Sequence, residues 1–230
     1  MKVPGLAPLC LAGVLAACAG GVPVPGTGPV PATAADSVRA EVRAGRAPAC
    51  PLLGTAVHLG GGLFLTAAHI VDGTAARLRH CDGPETVPLV RYGGRDLPAT
   101  VRRVGRGEIA AGVGLRYEGG ADLALLDTRV ASAGPSARPC RGGPDAGQPV
   151  IIESRLRTVV ATAGGMMREV EPAYGTYAEV PLHMVPGESG AGVFDARSNC
   201  LLGIVSHRED TAPDTVRIVP SAAIRTFLGG

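Results

Sequence analysis

Between Leu52 and Pro220 the apolar residues come in runs of about five to eight, each closed by Gly, Pro or Asp. With 34 Gly and 20 Pro in 230 residues, no stretch is long enough for a core helix, so short strands must carry the fold. The first set of runs is "LLGTAVHLG", "GLFLTAAH", "ARLRHC", "TVPLVRY", "ATVRRVG" and "DLALLDTRV". A gap rich in Gly, Pro and Ser follows over 131–147, and then come "PVIIES", "RTVVATAG", "TYAEVPL", "AGVFDA", "CLLGIVSH" and "TVRIVP". This count predicts an all-β fold of two six-stranded antiparallel β-barrels packed side by side, spanning about 50–130 and about 148–230. The halves share no evident repeat, so the duplication rests on strand count. Ahead of them, "DSVRAEVRAG" is a short polar segment open to a helical reading. At the other end Pro220-Ser221 predicts a short C-terminal helix over "AAIRTFL", with Ser221 as N-cap. A cleft between two such lobes is a natural ligand site.

Bulk composition narrows the partners. Hydrophobic residues make up 46% of the chain and net charge is +2, so a core is affordable and strong attraction to nucleic acid is not implied. Arg91, Arg95, Arg102, Arg103 and Arg106 are scattered through strand and turn with no aromatic platform, as on a solvated sheet face.

The first 17 residues read as an export signal. Lys2 precedes an apolar run, Leu6 to Ala17, that is too short to span a bilayer and ends in Leu15-Ala16-Ala17-Cys18. This resembles a bacterial lipobox, which implies a lipid-modified Cys18 as the mature N-terminus and an envelope lipoprotein, on the periplasmic or outer face. An ordinary signal cut near Ala32-Thr33-Ala34 is the alternative. Residues 18–35 form a Pro/Gly-rich tether that reaches on the order of 50 Å when extended. Residues 36–230 are then the folded domain. Cys50, Cys81, Cys140 and Cys200 remain, an even number suited to an oxidising compartment. Of three connectivities, Cys50–Cys81 with Cys140–Cys200 keeps each pair within one lobe. No CxxC or HxxxH spacing points to zinc, and no metal or other cofactor is expected.

The stretch "VPGESGAGVF" sets Ser189 among glycines, which fits either a turn or a presented nucleophile. A serine hydroxyl needs an adjacent base, and the base needs a carboxylate to orient it. "LFLTAAH" places His69 just past an apolar strand, and "GADLALL" places Asp122 at a strand start. The order is His, Asp, Ser. An α/β-hydrolase elbow is excluded, because it needs glycine where Ala191 stands and runs Ser, acid, His.

"TAAH", "DLALL", "GESG" before "GVF", and "GIVS" in the next strand resemble, in this order, the motifs of chymotrypsin-like (trypsin-fold) serine peptidases. The resemblance spans about Leu52 to Leu228 and implies the double-barrel fold with the site in its cleft. Carried onto this chain, it implies His69 as general base, Asp122 as its orienting carboxylate and Ser189 as nucleophile. The Gly187 and Ser189 amides would form the oxyanion hole, each such donor contributing roughly 3 to 4 kcal/mol in the transition state. The "GIVS" strand through Ser206 would bind an extended peptide. The implied activity is that of an exported serine endopeptidase acting on peptide or protein through an acyl-enzyme. The alternative is a catalytically inactive binding module for peptide or envelope components.

The chain departs from the family in places. Glu188 precedes the nucleophile where zymogen-activated members carry an aspartate that pairs with a newly cut N-terminus, so activity without such a cut is expected. His183 stands where trypsin-type enzymes place the aspartate that selects basic side chains. Arg208 stands where glycine usually keeps the pocket open. His183, Ser206, His207 and Arg208 are therefore the expected substrate-binding residues. They fit either acidic and small polar side chains or a small apolar one.

Overall fold

The computed structural model describes residues 38–46, 50–83, 85–110, 114–131, 134–167, 175–208 and 214–229. The expected signal segment, acylated Cys18 and tether lie outside these residues. The described residues belong to one compact unit.

Two curled antiparallel sheets of seven strands form the body. The first contains β1 (Arg39–Arg46), β2 (Cys50–Gly60), β3 (Leu63–Thr66), β4 (Leu89–Tyr92), β5 (Arg95–Pro98), β6 (Thr100–Val104) and β9 (Ala124–Asp127), in the order β5-β4-β1-β2-β3-β9-β6. Between β6 and β9 lies a two-stranded hairpin of β7 (Gly107–Ala110) and β8 (Gly114–Tyr117). The second sheet contains β10 (Pro149–Glu153), β11 (Thr158–Thr162), β12 (Gly165–Met166), β13 (Ala178–Val180), β14 (Gly192–Asp195), β15 (Leu201–Arg208) and β16 (Val216–Pro220), in the order β11-β10-β14-β15-β16-β13-β12. This is the chymotrypsin-like double barrel, with seven strands to each sheet instead of the expected six.

The differences have local causes. The segment open to a helical reading is β1. Ala40, Val42 and Ala44 alternate inward while Arg39, Glu41 and Arg43 point away, and eight residues pair with β2. Long-range pairing overrides a weak helical preference here. The run "ARLRHC" is not a strand. It contributes to helix α1 (Thr74–Leu78), whose first turn starts where the Asp72 Oδ1 accepts the Thr74 N–H at 2.7 Å. Helix α2 (Ser221–Gly229) starts where the sequence predicts, but the Ser221 hydroxyl is directed at the carbonyls of Gly142 and Gly143, at 3.3 and 3.4 Å. It ties down the inter-barrel linker.

Each sheet has its own apolar interior, and a third cluster joins them. Val57 and Leu65 of the first sheet meet Phe194, Leu201, Ile204 and Val219 of the second, with Ile224 of α2. All are buried, and each contributes roughly 1.5–3 kcal/mol of burial. Two disulfides are present, Cys50–Cys81 and Cys140–Cys200, with Cα atoms 5.9 and 5.1 Å apart, the preferred pairing. Among the described residues no helix is long and apolar enough to cross a membrane.

Candidate active site

The apolar strand β3 delivers Thr66 to the sheet's rim, and a single turn of 3-10 helix (Ala68–Ile70) then presents His69. Asp122 lies just ahead of β9, whose Ala124 pairs with Thr66, after a turn at Glu118–Gly120, and is fully buried. Its Oδ2 accepts the His69 Nδ1–H at 2.8 Å, and its Oδ1 accepts the His69 backbone N–H at 3.0 Å. This two-point grip fixes both the ring and its backbone, and it sets the tautomer that leaves Nε2 free to accept a proton. Burial alone would lower the His69 pKa, but the Asp122 carboxylate, its hydrogen bond and the charge of Asp72 outweigh it and raise the value. For Asp122, burial pushes the pKa up, and His69, the Ser206 hydroxyl and His207 pull it below the ordinary carboxylate value.

Ser189 sits on the tight turn between the barrels. Its carbonyl accepts the Thr55 N–H of β2 at 2.8 Å. Gly190 donates to the Val205 carbonyl at 2.8 Å, and Val205 donates to Ala191 at 2.9 Å. Gly190 has φ +83, and a Cβ there would run into the Thr55 carbonyl and the Thr66 hydroxyl, so only glycine lets the two barrels meet at this point. The nucleophile turn is thus anchored beside Thr66, three residues before His69, and beside Ser206, whose hydroxyl donates to Asp122 Oδ2 at 2.6 Å. Among the described residues the half-exposed Ser189 hydroxyl bonds no other group, so the imidazole–hydroxyl bond of a closed triad is not formed. His69 and Asp122 are brought together, whereas Ser189 stands on a turn fixed by Thr55 and is not bonded to either. Such bonds commonly tighten only when substrate is present.

Gly187 has φ +98, a left-handed conformation natural to glycine. Neither its amide nor that of Ser189 donates to protein among the described residues, and the Arg155 guanidinium packs against buried Gly187. Thr55 steadies the turn: its hydroxyl donates to the Gly187 carbonyl at 3.3 Å and accepts the Arg155 N–H at 2.9 Å.

Glu188 is 1% exposed and fully engaged. Oε1 accepts from Arg157 Nε at 2.8 Å and the Ser154 hydroxyl at 3.0 Å, while Oε2 accepts from Arg157 Nη2 at 3.1 Å and the Val185 N–H at 2.9 Å. Burial would raise its pKa, but Arg157, the Val185 amide and Ser154 outweigh that and hold it below the usual range. Arg157 Nη2 also donates to the His183 carbonyl at 2.7 Å, binding the loop ahead of the nucleophile from both ends.

The expected pocket residues divide. Ser206 is buried and faces Asp122. His207 is half-buried, with Nδ1 2.8 Å from Ser206 Oγ and its ring edge-on to Tyr177. His183 is exposed and lies 3.2 Å from Asp214 Oδ1. Arg208 is the last residue of β15. Sequence reading missed Thr55, Ser154 and Arg157. Nothing around them distinguishes them, because their roles come from partners far along the chain.

Comparison with known proteins agrees with this fold. Residues 54–204, more than half the chain, match the trypsin-like peptidase domain. No curated protein sequence matches the chain. Among solved structures, the active form of the Rv3671c protease from M. tuberculosis is similar with a TM-score of 0.64 at 17% identity, covering 85% of this chain and 81% of that one. The serine endoprotease from Yersinia pestis is similar with a TM-score of 0.59 at 19% identity, covering 87% of this chain and 67% of that one. A human pathogenic astrovirus serine protease is similar with a TM-score of 0.52 at 18% identity, covering 80% of this chain and 90% of that one. At these identities the likeness is one of fold. The matched span contains the His69, Asp122 and Ser189 motifs, and the chain belongs to the family of trypsin-like peptidase domains.

Proposed function

We propose that this chain is an exported serine endopeptidase in which His69, Asp122 and Ser189 cleave peptide bonds through an acyl-enzyme. The observation that carries the reading is the two-point Asp122–His69 bond beside the Ser189 turn. His69 Nε2 takes the Ser189 proton as Oγ bonds to the scissile carbonyl carbon. The oxygen, now an anion, is met by the Gly187 and Ser189 amides. The imidazolium then gives its proton to the leaving amine as the C–N bond breaks, and water hydrolyses the acyl ester by the same proton route. Past Val205 no β14 residue pairs with β15 among the described residues, which leaves residues 206–208 an edge on which an extended peptide can add as a strand.

Glu188 supports activity without proteolytic activation, since all its acceptor positions are filled by internal donors. A fluorophosphonate probe tests both points. Intact protein should form a covalent adduct mapped to Ser189 by mass spectrometry. The labelling rate should rise with pH through a midpoint above the ordinary imidazole value of about 6.5, because His69 acts only when neutral and its pKa is raised. Labelling that appears only after nicking near Cys50 would refute the activation-free reading. The open Ser189–His69 bond favours a second reading, a silent peptide-binding module. Absence of any adduct across the pH range would decide for it.

Export and lipid anchoring are supported by the lipobox-like Leu15-Ala16-Ala17-Cys18 and by two disulfides, which persist in oxidising compartments. Cys18→Ser should abolish incorporation of a clickable fatty acid in cells. Unchanged incorporation would mean that Cys18 does not carry the lipid.

A further inference from the structure

The pairing of β15 with β16 slips where it passes the site: Val205 faces Ile218, yet Arg208 faces Val216. Ser206 and His207 occupy this bulge. In a regular strand their side chains would leave on opposite faces, whereas a bulge re-aims them. Here Ser206 Oγ and His207 Nδ1 lie 2.8 Å apart. Ser206 Oγ is also 2.6 Å from Asp122 Oδ2, which is 2.8 Å from His69 Nδ1. Two histidines thus stand at opposite ends of one chain of hydrogen bonds through a buried carboxylate.

Proton counting fixes its direction. An ionised carboxylate only accepts, so both His69 and Ser206 must donate to Asp122. Ser206 has one proton, and with that proton on Asp122 its oxygen can only accept from His207. The His207 ring must therefore carry its proton on Nδ1. We propose that His207 is a positioning residue for the catalytic base, its Nδ1–H holding the Ser206 hydroxyl turned towards Asp122. The catalytic consequence rests on the serine-peptidase reading. The proton arrangement rests on the distances alone.

The surroundings keep the ring a neutral donor. Burial lowers the His207 pKa to about 4; Asp122 opposes this, while Arg217, His69 and Arg116 add to it. Tyr177 closes the remaining side, with ring centroids 5.7 Å apart, and its own hydroxyl hydrogen-bonds Ser206. Without the His207 donor, Tyr177 alone remains to orient the Ser206 hydroxyl, which can turn its proton from Asp122 towards the Tyr177 oxygen. The carboxylate then loses a stabilising bond, the His69 imidazolium is better matched, and the pH at which His69 becomes a base moves up.

The test compares His207→Phe, which keeps a ring but no donor, with His207→Asn, which keeps an N–H near the Nδ1 position. Fluorophosphonate labelling of Ser189 at neutral pH should slow about tenfold in His207→Phe, with a higher pH midpoint, and stay within about threefold of wild type in His207→Asn. Wild-type behaviour of His207→Phe overturns the proposal. So does an equal loss in both variants with an unmoved midpoint, which would mean that ring packing alone matters. Nitrogen-15 NMR of the unmodified protein at neutral pH is the variant-free test: Nδ1 of His207 should be protonated and Nε2 bare, and the reverse refutes the idea. If the wild type takes no label, the peptidase reading fails, and the tautomer still decides this one.

Discussion

Ser189→Ala is expected to lower hydrolysis of a randomised fluorogenic peptide library about a millionfold in kcat, with little change in KM. Without Oγ no acyl-enzyme forms. The amides of Gly187 and residue 189 and the free edge at 206–208 would still bind peptide, leaving roughly 10³–10⁴-fold over the uncatalysed reaction. The same variant should melt as wild type does, within about 0.5 kcal/mol. The hydroxyl bonds no group among the described residues, so its loss strands no buried partner. Retained cleavage would rule out Ser189 as nucleophile, and a large drop in melting temperature would show that the hydroxyl has a structural partner after all.

The second large effect is Asp122→Asn, expected to slow both probe labelling and hydrolysis about 10⁴-fold at neutral pH. Asp122 accepts at both oxygens: Oδ1 from the His69 N–H, Oδ2 from His69 Nδ1 and Ser206 Oγ. An amide of the same shape has one acceptor. If its oxygen stays on the backbone N–H, its NH₂ faces the imidazole and becomes the donor. The His69 proton must then move to Nε2, the position that has to receive the serine proton. Turning the amide round instead sets a donor against the His69 N–H. The first orientation removes the base without removing a single side chain from the cleft, and the second keeps the tautomer but breaks the backbone grip on His69. Folded protein with unaltered labelling would mean that Asp122 does not orient the base.

What could be read from the sequence follows the range of the forces involved. Short punctuated runs gave the double barrel, because alternation and turn residues act over a few positions. The order His69, Asp122, Ser189 was visible because each lies next to its own strand. The disulfide pairing was accessible because each pair sits in one half. β1 was not: the small residues Ala40, Val42 and Ala44 are compatible with a helix until eight residues pair with β2. α1 and the extra strands β5 and β12 are too short to leave a period. The Glu188–Arg157 pair spans 31 residues and the Ser206–Asp122 bond 84, so only the fold shows them. Pocket chemistry was least legible, since the Ser206 bond to Asp122 and the His207 bond to Ser206 depend on where the fold brings these strands.

Cys50–Cys81 laces the first half alone, and Cys140–Cys200 binds two residues packed on the second sheet's interior. Among the described residues neither disulfide crosses from one half to the other. His69 and Asp122 ride on one half and Ser189 on the other, so on the serine-peptidase reading competence depends on the docking of Leu65, Phe194 and Ile204 and on the Thr55 bonds across the seam. A wedge driven into that seam would silence the molecule while leaving both halves intact.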